Sequence, residues 1–87
     1  MPEVRIEVDS SLRDRIGGAE SVTVNAQTVR GALDQLCASS TFTLVHFAWI
    51  GGRPAGVVVW RNKDMLRGRY GARVIRDGDI IRLRRMM

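Results

Sequence analysis

Residues 28–39, TVRGALDQLCAS, break the rhythm of the sequence around them, and the fold follows from that break. Apolar side chains fall at Val29, Ala32, Leu33, Leu36 and Cys37, the spacing that gathers them on one face of an α-helix. Thr28 stands just before them, where its hydroxyl can accept from a backbone N–H of the first turn. Gly31 lies within that turn and costs a helix up to about 1 kcal/mol relative to alanine. Packing of the apolar face, rather than intrinsic propensity, must therefore hold this helix, which is expected to end near Ala38.

On both sides of the helix β patterns take over. In VRIEVD (4–9), Val4, Ile6 and Val8 point one way and Arg5, Glu7 and Asp9 the other, as in a strand with one buried face. SVTVNA (21–26) alternates again around Val22 and Val24, so the first two strands form an antiparallel hairpin. Its long connection turns at Gly17-Gly18 and tucks Leu12 and Ile16 inward. Beyond the helix, LVHFAWI (44–50) and GVVVWRN (56–62) are rich in β-formers, and GGRPA between them reads as the turn of a second hairpin. KDMLRGRYGARVI (63–75) is loop-like, with Leu66 and Val74 as inward anchors. Asp77-Gly78 supplies a turn before the last strand, where Ile81 and Leu83 point inward.

The order strand, strand, helix, strand, strand, strand predicts an α+β fold in one domain, 1–87. One helix covers one face of a mixed sheet of four to five strands and leaves the other face open. A chain of 87 residues has room for one modest core, and its 45% hydrophobic and 26% charged residues match ordinary globular proteins. No apolar run approaches the ~20 residues of a membrane helix. The N-terminus alternates rather than reading as a signal peptide, and the single cysteine, Cys37, cannot form an internal disulfide. The expectation is a cytoplasmic protein away from membranes.

Charge is placed unevenly. Residues 1–50 carry four Arg against six acids, whereas residues 51–87 carry nine Arg and one Lys against three Asp. Such asymmetry suits an acidic partner surface or a nucleic acid, and arginines on solvated strand faces would give it too.

Three stretches carry a resemblance. Leu12-Arg13, then Gly17-Gly18, then the alternating SVTV resembles the segment between the first strands of the bacterial sulfur-carrier (ThiS/MoaD-like) family of ubiquitin-like β-grasp proteins. That family includes the small subunit of molybdopterin synthase and the thiamine-pathway carrier. TVRGALDQL resembles its helix, although Gly31 stands where an acidic residue is common, and VIRDGDIIRL resembles its Asp-Gly-Asp approach to the last strand. The resemblance implies an ubiquitin-like β-grasp fold. It also implies a chemistry in which an adenylating enzyme activates the C-terminal carboxylate, sulfur replaces the adenylate, and a partner enzyme takes the sulfur. That chemistry favours a slender Gly-Gly end. Here RLRRMM (82–87) puts Met86 and Met87 in that place.

Other chemistry finds little support. Cys37 belongs to the apolar stripe of the helix and is expected to fill core space, and His46, the only histidine, sits in a strand. The glycine pairs lack the setting of a phosphate loop, and Asp77 and Asp79 bracket a turn rather than forming an acid–base pair. No catalytic residue, cofactor or metal is expected. Arg61, Lys63, Arg67, Arg69 and Arg73 interleave with Trp60 and Tyr70, which mixes phosphate-neutralising and stacking groups.

The leading expectation is a non-enzymatic docking protein of this family that does not itself carry sulfur. It would present Arg5, Glu7, Ile80, Arg82 and Arg84 on the open sheet face, continued by Arg85, Met86 and Met87. The expected partner is a larger enzyme subunit, either an ATP-dependent adenylating enzyme or a sulfur-accepting enzyme. The alternative is a true sulfur carrier whose tail is trimmed or incomplete here, and the third is a basic nucleic-acid-binding domain. Two sheet edges and an arginine-rich face leave a homodimer open.

Overall fold

The structure, a computed structural model, describes residues 1–9, 21–38 and 48–86. Its elements in chain order are β1 (Glu3–Val8), β2 (Ser21–Asn25), α1 (Val29–Ala38), β3 (Trp49–Ile50), β4 (Arg53–Pro54), β5 (Val57–Arg61), β6 (Asp64–Met65), a 3₁₀ turn (Tyr70–Ala72) and β7 (Ile80–Arg85). Five strands form one mixed sheet in the order β2-β1-β7-β5-β6. β1 runs parallel to β7, and every other pair in this sheet is antiparallel. The first and last strands are thus neighbours at the middle of the sheet. A parallel pair needs a crossover between its members; α1 lies on that crossover and covers one face of the sheet. This is the ubiquitin-like β-grasp arrangement.

The core lies between α1 and that covered face. Val29, Ala32, Leu33 and Leu36 of the helix are buried, and they join Val4, Ile6 and Val8 of β1, Val24 of β2, Val57 and Val59 of β5, and Ile81 and Leu83 of β7. The alternation of β1 and β7 lines up because the parallel register sets Ile6 beside Ile81 and Val8 beside Leu83. Thr28 caps the helix, with the Gly31 N–H donating to its Oγ1 at 3.1 Å. A Cβ on Gly31 would stand 3.3 Å from that oxygen, so the glycine lets the cap sit close.

Four expectations need correction. Val74 is 66% exposed, and its neighbour Ile75 takes the inward place. The Ile75 N–H donates to the Gln27 carbonyl, and a bridge joins Val74 to Thr28, so the backbone fixes Ile75 toward the core. Cys37 is only partly buried, because the helix turns its core face to positions 29, 32, 33 and 36. The stretch 63–75 is more than loop, since it contains β6 and a 3₁₀ turn that buries Tyr70, while Leu66 is buried as its inward anchor.

The fourth correction concerns the second hairpin. Trp49 and Ile50 pair with Pro54 and Arg53 in a separate two-stranded sheet, while β5 pairs with β7 and β6. Gly51 and Gly52 both have positive φ, 62° and 76°, as a two-residue hairpin turn with the strands' own twist requires. The turn is therefore two residues long, and Arg53-Pro54 belong to a strand. Residues 44–47 lie outside the described residues, as do His46, Leu12, Ile16, Gly17 and Gly18.

Candidate docking face

The sheet face away from α1 is built by the odd-numbered positions of β1 and the even-numbered positions of β5 and β7. Register places Ser21 beside Glu7, Glu7 beside Arg82, Arg82 beside Trp60 and Trp60 beside Met65, so one row of side chains crosses all five strands. A second row sets Thr23 beside Arg5 and Arg5 beside Ile80. Arg5, Glu7, Arg82 and Arg84 line a shallow basin of about 800 Å³, together with Trp60 and Lys63.

One carboxylate organises this basin. Glu7 accepts from Arg82 Nε through Oε1 at 3.1 Å, and its Oε2 stands 3.7 Å from Arg5 Nε. A terminal Arg5 nitrogen also reaches the Ser21 hydroxyl at 3.4 Å. Two guanidinium groups thus converge on one carboxylate, and each keeps further N–H donors for another oxygen acceptor. Exposed pairs of this kind add at most about 1 kcal/mol to stability, so their orienting effect outweighs their energetic one.

The turn before β7 fixes that strand against its neighbours. Asp77 Oδ1 accepts from the Glu3 N–H at 2.8 Å, and the Gly78 N–H donates back to the Glu3 carbonyl at 2.9 Å, with Gly78 at φ 85°. Asp79 is buried and accepts from Arg61 Nε at 2.8 Å, Asn62 Nδ2 at 3.1 Å and the Arg76 N–H at 2.8 Å. Burial by itself would raise the Asp79 carboxyl. The Arg76 N–H, the Asn62 amide and the Arg61 guanidinium outweigh it and hold the group below its ordinary value. Asn62, in the left-handed region at φ 55°, also accepts from the Ile80 N–H through its Oδ1 at 3.0 Å. Asp77 and Asp79 are therefore turn residues with a clamping role.

The structure divides the residues the sequence suggested. Arg5, Glu7, Ile80, Arg82 and Arg84 share the open face. Arg85 is exposed and pairs with Val57, on the other parity of β7. Met86 is 52% exposed and stays tied to the sheet, its N–H donating to the Gly56 carbonyl at 3.0 Å. Its side chain borders a second concavity beside the basin, and Met87 lies outside the described residues. The basic–aromatic set is dispersed. Trp60 and Lys63 line the basin, Arg67 and Arg69 border the other concavity, Arg61 is committed to Asp79, and Tyr70 is only 4% exposed. Sequence reading missed Ser21, Trp60 and Lys63 as members of the basin; the alternation of Val57 and Val59 against Val58 and Trp60 was the available signal.

Neither a protein-family model nor a curated protein matches the sequence. Solved structures do match. SAMP1 from Haloferax volcanii is 21% identical with a TM-score of 0.75, over 98% of this chain and 96% of that one. A chain of the Amycolatopsis orientalis BexX/CysO complex is 19% identical with a TM-score of 0.78, over 97% of this chain and 96% of that one. CysO from Mycobacterium tuberculosis is 23% identical with a TM-score of 0.70, over 97% of this chain and 99% of that one. Across nearly its whole length, the chain has the ubiquitin-like β-grasp fold of these solved structures.

Proposed function

We propose that this protein is a docking module that presents its open sheet face to an acidic surface on a larger enzyme and performs no catalysis of its own. The observation that carries the reading is the convergence of Arg5 and Arg82 on Glu7, with Arg84 and Lys63 beside them in the same basin. Glu7 fixes the two guanidinium groups, and the basin's four cations, Arg5, Lys63, Arg82 and Arg84, outnumber its described carboxylates, Glu7 and Asp9, a balance that suits carboxylates brought by a partner. The partner class this fold favours is an ATP-dependent adenylating enzyme or a sulfur-accepting enzyme, and the setting is the cytoplasm. In this reading Arg84, Arg85 and Met86 contribute surface rather than a threading arm, which the bond from Met86 to Gly56 supports. The competing reading, sulfur carriage on a C-terminal carboxylate, draws its support from the carriers that share the fold.

Titration of the full chain against the adenylating enzyme of its own organism tests the proposal. Binding is expected to weaken as salt rises, and Arg82→Glu with Arg84→Glu is expected to weaken it about tenfold or more. Affinity indifferent to both changes would overturn the docking face. Incubation with ATP, that enzyme and a sulfur donor, followed by intact-mass measurement, addresses carriage, and a thiocarboxylate on the chain would establish the competing reading.

A further inference from the structure

The second concavity, about 860 Å³, shares no lining residue with the basin among the described residues. It runs along the outer side of β5, between the β3–β4 hairpin and the stretch that leads from Met65 of β6 to Tyr70 of the 3₁₀ turn. Three of the five large apolar side chains that the described residues expose stand around it: Ile50 at 66%, Met65 at 41% and Met86 at 52%. Its charged lining consists of Arg53, Arg67 and Arg69, with no carboxylate among the described residues that border it. The walls are held in place by close backbone packing. The Gly71 N–H donates to the Gly52 carbonyl at 2.8 Å, and a Cβ on Gly71 would lie 2.7 Å from that same oxygen. Only glycine lets the hairpin seat against the 3₁₀ turn this closely.

We propose that this groove is a second binding site, which takes an extended acidic segment of a partner protein that alternates apolar side chains with carboxylates. The apolar side chains would rest on Ile50, Met65 and Met86, where the unbranched methionines adapt to their shape. The carboxylates would pair with Arg53, Arg67 and Arg69, whose planar forks favour two-point contact. Charge complementarity selects this occupant. A second copy paired two-fold through the same groove would bring the same three arginines against them and be repelled. A nucleic acid would find phosphate partners but no exposed ring to stack on among the described residues, since Tyr70, the aromatic residue among them that borders the groove, is buried.

The test uses the full chain and a short fluorescent peptide that alternates glutamate with leucine, followed by anisotropy and by amide chemical shifts of the labelled protein. Binding is expected, with shifts at Ile50, Met65, Arg67 and Gly68. Arg67→Glu with Arg69→Glu, and separately Ile50→Ser with Met65→Ser, should each weaken it about tenfold or more. These side chains are on the surface, and retained amide dispersion confirms folding. Arg82→Glu on the open face should leave peptide affinity unchanged, which separates this site from the docking face. The inference is overturned if the peptide does not bind, if shifts fall on Arg5 and Arg82 alone, or if a peptide with serine for leucine binds equally well. A single-stranded oligonucleotide that shifts the groove residues as strongly, or dimerisation that does so, would also overturn it.

Discussion

On the open face every side chain is set by the ladder beneath it. Arg5, Glu7 and Arg82 meet because β1 and β7 run parallel in a register that sets Glu7 beside Arg82. The groove beside β5 has no such ladder across it. It is assembled from the β3–β4 hairpin, the stretch from Met65 of β6 to Tyr70, and the start of β5, and those pieces meet through two glycine turn residues and the contact of Gly71 with Gly52. The first surface is mostly charged and ordered by one carboxylate. The second is mostly apolar with an arginine rim. Regular secondary structure thus provides the charged surface, and irregular tertiary packing provides the apolar one, so the two should respond differently to the same kind of injury.

The most damaging change should be one that strikes both surfaces. Leu83 is buried on the central strand between β1 and β5, and Leu83→Ala should cost about 3 kcal/mol in urea unfolding and perturb amide shifts on both faces. Asp79→Asn comes next, at about 2 kcal/mol, because it weakens the acceptor shared by Arg61, Asn62 and the Arg76 N–H. Its effect should carry a pH signature. A carboxyl held below its ordinary 3.8 contributes stability that is complete above that value and lost as pH falls through the lower folded value. The parent protein should therefore lose stability below about pH 4, and the variant should lose less over the same range. Equal slopes would remove Asp79 from this role.

Gly71→Ala sharpens the comparison, because it should injure the groove alone. With a Cβ 2.7 Å from the Gly52 oxygen the hairpin must move away, at about 1–2 kcal/mol, with shift changes at Trp49 to Arg53 and little change at Glu7 or Arg82. The smallest effect belongs to Arg82→Ala. It removes an exposed pair and should change unfolding free energy by about 0.5 kcal/mol or less while it weakens association with the partner enzyme. A large stability loss there would recast the face as structural.

The same division explains what the sequence made legible. Parity along VRIEVD and DIIRL assigns Arg5, Glu7, Arg82 and Arg84 to one face, since a period of two leaves no other choice once Ile6 and Ile81 are buried. The helix and its Thr28 cap follow from patterns equally local, whereas the central placing of the first and last strands comes only with the resemblance to β-grasp proteins. The groove follows from none. Gly51-Gly52 announces a turn, but whether the strand after it begins at Arg53 or Val57 depends on which partner wins the pairing, and β7 wins Val57–Arg61. Val74 and Ile75 could each have faced inward, and a distant carbonyl, that of Gln27, decides between them. Tyr70 reads as a surface aromatic among arginines until a 3₁₀ turn buries it.

Cross-saturation from an unlabelled adenylating enzyme to the isotope-labelled chain tests the docking face most directly. The account predicts that signal loss is greatest at Arg5, Glu7, Arg82 and Arg84. Loss confined to the Ile50–Met65 side, or no loss with the enzyme saturating, would contradict it.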